Sequence, residues 1–201
     1  MREMKIKATI LIKPRPYVSQ GKKHNIFDNQ VDREFYATKP NEIWCSDFTQ
    51  FKLKNGKKRY NCTIIDLYDR SVVATLNSKF IDAELAINTL SKALKSNKTR
   101  NRIILHTDQG SQFASRRFIN FCEENNILQS MSRAGNPYDN SPMERFYNTF
   151  KSELIKQYTF ETDEELNEAV NDYVFDWYNH RRPHSYNGGL TPFEARHRTS
   201  Q

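Results

Sequence analysis

The chain has 201 residues, of which 37% are hydrophobic and 27% charged, a length and composition typical of one α/β domain with short extensions. No apolar run approaches the roughly eighteen residues of a membrane span, and the apolar stretch from Ala8 to Leu11 is too short for a signal peptide, so we expect a cytoplasmic protein with no membrane partner. The net charge of +7 favours a polyanionic partner, above all nucleic acid.

The first forty residues differ in character from the rest of the chain. Residues 1–40 carry many Lys and Arg side chains with little hydrophobic periodicity, which predicts a basic N-terminal arm or linker. Residues 41–160 are expected to form the core domain, and residues 161–201 a C-terminal helix and tail that pack on it. The three cysteines are far apart with no C-x-x-C pair, and we expect buried thiols in a reducing compartment.

Three strands are predicted at the start of the core. The run WCSDFTQFKL alternates, so that Asp47, Thr49 and Phe51 share one face of a strand. Asn55-Gly56 predicts a two-residue hairpin turn. The β-rich runs KRYNCTIIDL and SVVATLNSKF follow, on either side of a tight turn at residues 68–70. Three consecutive antiparallel strands are the simplest arrangement.

Helices and strands are predicted to alternate in the next part of the chain. Asp82 is a candidate N-cap for a helix that ends near Ser96. The run IILHTD (103–108) predicts a short buried strand, parallel to an earlier one. A helix from about Ala114 to Asn125 and a fifth strand from Ile127 to Met131 should follow.

The last third of the core is predicted to be helical after a loop. Residues 132–141 are rich in turn-forming residues and should form a mobile loop. A helix beginning at Pro142 would bury a stripe consisting of Met143, Tyr147, Phe150 and Leu154. A capping box at Thr162 and Glu165 predicts the start of another helix, and Arg182-Pro183 predicts its end. The buried face of this helix should hold Leu166, Val170, Tyr173 and Trp177. The order β-β-β-α-β-α-β-loop-α-α predicts an α/β fold with a mixed five-stranded sheet flanked by helices.

Three acidic residues occupy positions suited to metal-dependent phosphoryl transfer. Asp47 lies mid-strand among apolar neighbours, where an unpaired charge is costly. Asp108 ends a buried strand, and Glu144 lies in the first turn of a helix, with 35 residues between the two. Hard divalent ions prefer such carboxylates, and two ions can stabilise both the attacking and the leaving oxygen. Each residue also has an ordinary explanation: a strand residue paired with Lys, a turn aspartate, and a glutamate favoured at a helix start.

Five segments, in order along residues 40–195, carry a resemblance to a known family. They are PNEIWCSDFT, IIDLYDR, LHTDQGSQF, NPYDNSPMERFYNTFKSEL and YNHRRPHSYNGGLTPFE. The sequence resembles the integrase-core family of insertion-sequence DDE transposases of the second-reading-frame type, relatives of retroviral integrases with a ribonuclease H-like fold. The resemblance implies that Asp47, Asp108 and Glu144 are the catalytic, metal-binding acids. It also implies two Mg²⁺ ions, with Mn²⁺ as a substitute, and attack on DNA phosphodiesters by water and then by a freed 3′-hydroxyl.

The resemblance also suggests residues that contact DNA. Lys151 falls on the acidic side of its helix, where family members carry a basic residue, although a solvated lysine is an alternative. Weaker candidates for DNA contact are Asn148, Arg145, Asn136 and Tyr138. Other titratable residues have simpler explanations. Asp139 is expected to fix its loop, and Asp66 and Asp69 a hairpin turn. His180 and His184 have the i, i+4 spacing of zinc ligands, but Pro183 breaks the helix between them.

Partners and rival functions follow from the same resemblance. The partners expected are the ends of the mobile element, target DNA, further copies of the chain, and a separate helix-turn-helix protein from an upstream reading frame. The expected location is the nucleoid of a bacterial cell. A rival interpretation is a truncated, non-catalytic DNA-binding remnant, because no helix-turn-helix is evident in the forty residues before the core. A different ribonuclease H-like nuclease is the third alternative.

Overall fold

A mixed five-stranded sheet forms the centre of the structure. The structure is a computed structural model, and it describes residues 25–99 and 101–198. The sheet order is β3-β2-β1-β4-β5. The strands β1 to β3 are antiparallel, whereas β4 runs parallel to β1, and β5 parallel to β4. Their bounds are Ile43–Lys52 (β1), Lys58–Asp66 (β2), Val72–Ser78 (β3), Ile103–Thr107 (β4) and Ile127–Met131 (β5). This confirms the predicted five-stranded mixed sheet, including its parallel edge.

Helices cover both faces of this sheet. The five α-helices are Ala83–Ser96 (α1), Arg116–Glu124 (α2), Ser141–Phe150 (α3), Asp163–Asn171 (α4) and Pro192–His197 (α5). On one face α1 and α2 bury Leu90 and Phe118 against Trp44. On the other face α3 and α4 bury Phe150 and Leu166 in a cluster with the sheet. Because β1 is covered on both sides, its alternate residues fill two different cores. No helix in the described ranges is long and apolar enough to span a membrane.

The turn between β1 and β2 lies where it was predicted but is wider. The Gly56 amide donates to the Leu53 carbonyl (2.9 Å), and the Leu53 amide donates to the Lys57 carbonyl (3.0 Å). The prediction of a two-residue turn is therefore wrong. The turn is instead a three-residue hairpin loop, from Lys54 to Gly56. Gly56 has a φ of 79°, the left-handed conformation that is typical at the end of such loops and that glycine adopts without steric cost.

Helix α4 departs from the sequence pattern near its end. It continues as a π-helical segment, Asp172–Arg181. The wider turn, with i→i+5 hydrogen bonds, rotates the following side chains relative to an α-helix. Trp177 was predicted on the buried face but is 46% exposed, whereas Val174 and Tyr178 are buried. The predicted capping box is half formed, because the Thr162 hydroxyl accepts from the Glu165 amide while the Glu165 carboxylate accepts from the Glu161 amide.

The segment predicted to be a mobile loop is tied to the core by a buried carboxylate. Residues Pro137–Asn140 form a 3₁₀ turn. The fully buried Asp139 accepts hydrogen bonds from Arg133 (2.9 Å) and Arg33 (2.6 Å), which hold its pKa well below the ordinary value. Asp139 therefore fixes the turn, as its position suggested. It also holds residues of the predicted arm against the core; residues 1–24 of that arm lie outside the described residues.

A second buried acidic group joins the C-terminal helix to the sheet. Asp66 and Asp69 are fully buried around the β2–β3 turn, where they accept amide hydrogen bonds from Tyr68 (3.0 Å) and Ser71 (2.8 Å). Turn geometry was predicted, but Arg196 of α5 also forms ion pairs with both carboxylates. Burial raises the pKa of Asp66, and the positive charge of Arg196 opposes that rise. The contact anchors α5.

All three cysteines are free and buried. Burial raises the pKa of each thiol to about 12, so that the thiols stay protonated. The prediction of buried thiols is confirmed.

We expect Arg196→Ala to destabilise the fold by about 3 kcal/mol, because it leaves two buried carboxylates without their cation. Urea unfolding at pH 7 measures the effect. Arg117→Ala is the control, since Arg117 is exposed and makes only a distant contact with Glu84 (3.9 Å). Equal stability of the two variants would contradict a structural role for this cluster.

Candidate active site

The parallel pairing of β1 and β4 brings two of the predicted acids together. Cys45 pairs with His106 at the end of this register. Continuing the register by two residues sets Asp47 opposite Asp108, the first residue after β4. Carboxyl ends of parallel strands are where the sites of α/β sheets form. Asp47 and Asp108 therefore lie side by side at one edge of the paired region.

Backbone amides hold both carboxylates in place. The Phe48 amide donates to Asp47 Oδ1 (2.7 Å), and the Gly110 amide donates to Asp108 Oδ1 (2.9 Å). A Cβ at Gly110 would lie 2.8 Å from Asp108 Oδ1, which is closer than Cβ atoms approach other heavy atoms in proteins. Glycine is therefore required at this position if the chain is to turn tightly around the Asp108 carboxylate.

Helix α3 is fixed against β1 at the position of Asp47. The Tyr147 hydroxyl donates to the Asp47 main-chain carbonyl (2.7 Å), and burial raises the pKa of Tyr147, which keeps the donor protonated. Glu144 lies about one turn earlier on α3 and is exposed. The hydrogen bond thus places the start of α3, with Glu144, near the two aspartates.

A buried histidine links the strands to the segment that leads into α3. His106 Nδ1 lies 2.9 Å from Ser130 Oγ on β5, and His106 Nε2 lies 2.7 Å from the Asp139 carbonyl oxygen. Burial lowers the pKa of His106. This histidine was not among the residues predicted from the sequence. The only signal for it was its position two residues before Asp108 in a buried strand.

The site brings carboxylates together, and no cation in the described part of the chain forms a salt bridge with them. Burial, and then the charges of Asp108 and Glu144, raise the pKa of Asp47 to about 7, whereas Lys151 opposes the rise. Burial also raises the pKa of Asp108. Within residues 25–99 and 101–198, none of the three acids forms a salt bridge. These carboxylates are held close together at an energetic cost that a bound cation would offset.

Comparison with known proteins identifies the family. The model of the integrase core domain matches residues 37–137, and a second integrase core domain model matches residues 125–192. A putative transposase for insertion sequence element IS150 from Escherichia coli is 38% identical over 200 residues, which cover 99% of this chain and 69% of the relative. The chain belongs to the integrase core family.

Other members of the integrase core family give the same result. The transposase for insertion sequence element IS904 from Lactococcus lactis is 37% identical over 157 residues, covering 78% of this chain and 62% of the relative. The chain thus spans about two thirds of the length of these relatives. The family consists of polynucleotidyl transferases of the DDE transposase and integrase type.

Solved structures of retroviral integrases share the fold. The HTLV-2 integrase catalytic core domain in complex with magnesium superimposes with a TM-score of 0.65 at 22% identity, over 80% of this chain and 99% of that domain. The simian T-cell lymphotropic virus intasome gives a TM-score of 0.69 at 22% identity, over 89% of this chain and 61% of that one. The predicted ribonuclease H-like fold is therefore confirmed.

The chemistry of the three acids suits a divalent cation, but their side chains do not form a finished ligand set. Carboxylate oxygens are the ligands preferred by Mg²⁺ and Mn²⁺. As the side chains lie, no group of three or more His, Cys, Asp or Glu residues in the described part of the chain is arranged to hold a metal ion. The carboxylates of Asp47 and Asp108 each accept a hydrogen bond from a backbone amide, whereas Glu144 is exposed.

The candidate DNA contacts lie on the exposed parts of the same region. Lys151 is half-buried and close enough to affect the pKa of Asp47, and Asn148 is exposed one turn after Glu144. Asn136 is exposed, and Tyr138 is 72% exposed in the turn before α3. Asn148 and Lys151 follow Glu144 along the helix, and Asn136 and Tyr138 precede it in the chain.

Three further predicted residues lie elsewhere. Arg145 points into a cavity on a different face of α3. The two histidines considered as zinc ligands have separate surroundings. The His180 ring lies 4.5 Å from the ring of Phe193, and the buried His184 ring lies 4.6 Å from that of Tyr178.

We expect Asp47→Asn to stabilise the metal-free protein at pH 8 by about 1–3 kcal/mol. The pKa of Asp47 is raised in the folded state, so the wild-type protein loses stability as the pH rises from about 4 to about 7. The asparagine variant lacks this loss. The gain should therefore be small near pH 4 and constant above pH 7.

Urea unfolding in EDTA across this pH range measures the effect, with the exposed Glu168→Gln as the control. The prediction is contradicted if the stability difference between Asp47→Asn and the wild type does not change with pH. Ionisation of Asp47 would then not destabilise the folded protein.

Proposed function

We propose that the chain is the catalytic core of a DNA transposase that cleaves the ends of its mobile element and transfers them into target DNA. The observation that carries the proposal is the parallel pairing of β1 with β4, because continuing its register by two residues brings Asp47 opposite Asp108. In the described part of the chain neither carboxylate forms a salt bridge. Glu144 is held nearby through the Tyr147 hydrogen bond to the Asp47 carbonyl (2.7 Å). Such a set of acids matches the needs of a cation-assisted phosphoryl transfer, and family membership supplies the reaction class.

Each acid has a defined task in this proposal. Asp47, Asp108 and Glu144 would hold Mg²⁺, or Mn²⁺ as a substitute, and we propose two ions. When bound, the ions would neutralise charge on the attacking and leaving oxygens of the phosphodiester. The magnesium of the HTLV-2 integrase core domain supports this choice of metal. Gly110 and Phe48 orient the aspartates through their amides, so that less reorganisation is needed when the cation arrives.

The reaction consists of two displacements at phosphorus. In the first, a water oxygen bonds to phosphorus and the bond to the 3′-oxygen breaks, which frees the 3′-hydroxyl of the element end. In the second, that hydroxyl attacks a phosphodiester of the target and displaces a 3′-oxygen there. Both are in-line exchanges of one P–O bond for another, so no external energy source is required.

DNA is the proposed partner, and its contacts follow from exposure and charge. Lys151 would bind a phosphate near the reacting bond, with Asn148 beside it on α3. Asn136 and Tyr138 would contact DNA from the turn before α3, and the Tyr138 ring offers a stacking surface. Arg145 would contribute positive charge from the neighbouring face of the helix.

Further partners are proposed from the family. The simian T-cell lymphotropic virus integrase is described in an intasome, which supports a multimer of this chain on paired DNA ends. A separate helix-turn-helix protein from an upstream reading frame would supply recognition of the element ends. DNA as substrate would place the protein at the bacterial nucleoid.

We expect Asp108→Asn to reduce strand transfer by at least about a thousandfold, because it removes a charge that would hold the cation next to the phosphate. The assay uses an oligonucleotide carrying the element end, with Mg²⁺, Mn²⁺ or EDTA. DNA binding, measured by gel shift, should stay unchanged.

Asp172→Asn is the matched control for this experiment, since Asp172 is an exposed aspartate of the segment after α4. Full activity of Asp108→Asn would refute the assignment of the acids. Binding without strand transfer by the wild-type chain would instead support the alternative of a non-catalytic remnant.

We expect Lys151→Gln to weaken DNA binding several-fold and to lower the salt dependence of binding by the equivalent of about one phosphate contact. Lys156→Gln is the control, because Lys156 is exposed five residues further along the same helical segment. Fluorescence anisotropy with labelled DNA over a range of NaCl concentrations measures both quantities. Identical behaviour of the two variants would remove Lys151 from the proposed DNA interface.

A further inference from the structure

A second site is formed by a cavity on a different face of α3 from the acids. The cavity has a volume of about 350 Å³, within the range of small-ligand sites. Its walls come from the segment before β1, from the start of α3, and from the residues that follow the π-helical end of α4. None of Asp47, Asp108, Glu144 and Lys151 lines it. It is therefore a feature separate from the candidate active site.

The lining of the cavity is strongly positive. Four arginines contribute to it and no aspartate or glutamate does; the arginines are Arg33, Arg70, Arg145 and Arg182. Arg33 and Arg182 have acidic partners, Asp139 (2.6 Å) and Glu153 (2.9 Å). Arg70 and Arg145 form no salt bridge with any residue that the structure describes. An anion in the cavity would therefore meet two guanidinium groups whose charge is uncompensated.

Two buried polar atoms of residues that line the cavity have no hydrogen-bond partner among the residues that the structure describes. They are Arg70 Nη1 and His184 Nε2. Arg70 is held by its other nitrogen, Nη2, which donates to the Phe35 carbonyl (2.8 Å). His184 is 8% exposed, and burial, followed by the charge of Arg182, lowers its pKa to about 4. A buried donor without an acceptor costs about 1–3 kcal/mol, and a ligand with several acceptor oxygens would remove that cost.

Aromatic side chains stand beside these donors. The rings of Tyr36 and Tyr186 stack with their centroids 6.0 Å apart, and the Arg70 guanidinium carbon lies 3.9 Å from the centroid of Tyr186. The Tyr36 ring is 75% exposed. Arginines for phosphate next to an exposed aromatic face for a base are the combination found where proteins hold a nucleic-acid strand.

We propose that this cavity binds a phosphate of a DNA strand, with the adjoining base against Tyr36, as an anchoring site separate from the acids. Arg70 and Arg145 donate hydrogen bonds to the phosphate oxygens, and the His184 ring lies beside them in the cavity wall. Such a contact carries no sequence information, but it fixes the path of the strand over α3. The choice of DNA as ligand rests on the proposed function.

The test measures binding of a short 5′-phosphorylated, fluorescein-labelled single strand by anisotropy, in EDTA and with the full chain. Arg70→Gln and Arg145→Gln should each weaken binding about tenfold, and each should lower the slope of log affinity against log salt by about 0.7. Arg181→Gln is the matched control, because it removes the same charge from a side chain outside the cavity that pairs with Asp176. Losses no greater than that of the control would overturn the proposal.

A second measurement does not depend on any variant folding. NMR titration of the His184 ring in the wild-type protein should show its pKa rising from about 4 toward the ordinary value when the strand is added. An unchanged titration would overturn the proposal. An equal rise with inorganic phosphate at the same concentration would overturn the assignment to a DNA strand.

These experiments test the anchoring site separately from the proposed catalytic function. Strand transfer by the wild-type chain, together with cavity variants that bind like the control, would refute only this inference. Cavity-dependent binding without strand transfer would support the anchoring site and refute the catalytic proposal.

Discussion

The parallel register between β1 and β4 is the constraint on which the candidate site depends. It sets Asp47 opposite Asp108, where two like charges in a partly buried place repel each other and lose hydration. A fold keeps such an arrangement only when surrounding contacts over-determine it. Here the two apolar clusters on either side of β1 supply that support. The Tyr147 hydroxyl adds to it, because it joins α3 to the main-chain carbonyl of Asp47.

Charge is distributed around α3 in two opposite ways. One side of the helix carries Glu144, near the two aspartates where the proposed cation would bind. Another side borders the cavity lined by four arginines, two of which have no acidic partner among the described residues. A DNA strand associated with divalent cations brings both kinds of charge at once. The two partly unsatisfied sites on one helix are therefore consistent with a single polyanionic partner that crosses it.

Much of this arrangement could be predicted from the sequence, because it depends on local patterns. Alternation and turn residues located the strands, and the spacing of apolar residues located α3. The contacts that the sequence did not reveal join distant residues, whereas the wrong predictions, the two-residue turn and the burial of Trp177, depend on small changes in local backbone geometry. Nothing local distinguishes Asp139 as a buried partner of Arg33, which lies more than a hundred residues away. The pairing of Arg196 with the β2–β3 turn is equally non-local. Trp177 was misplaced because a period of 3.6 residues was assumed through a π-helical segment.

The wide helical turn after α4 also concerns how the family can change during evolution. A π-helical turn accommodates one extra residue in an α-helix without breaking it, at the expense of a rotation in everything downstream. The segment Asp172–Arg181 leads directly to Arg182 and His184 in the cavity wall. Loss of a residue there would rotate the chain that follows and shift those two side chains relative to the cavity. Homologous chains that are one residue shorter at this point should therefore have a differently composed surface beside α3, even where the three acids are unchanged.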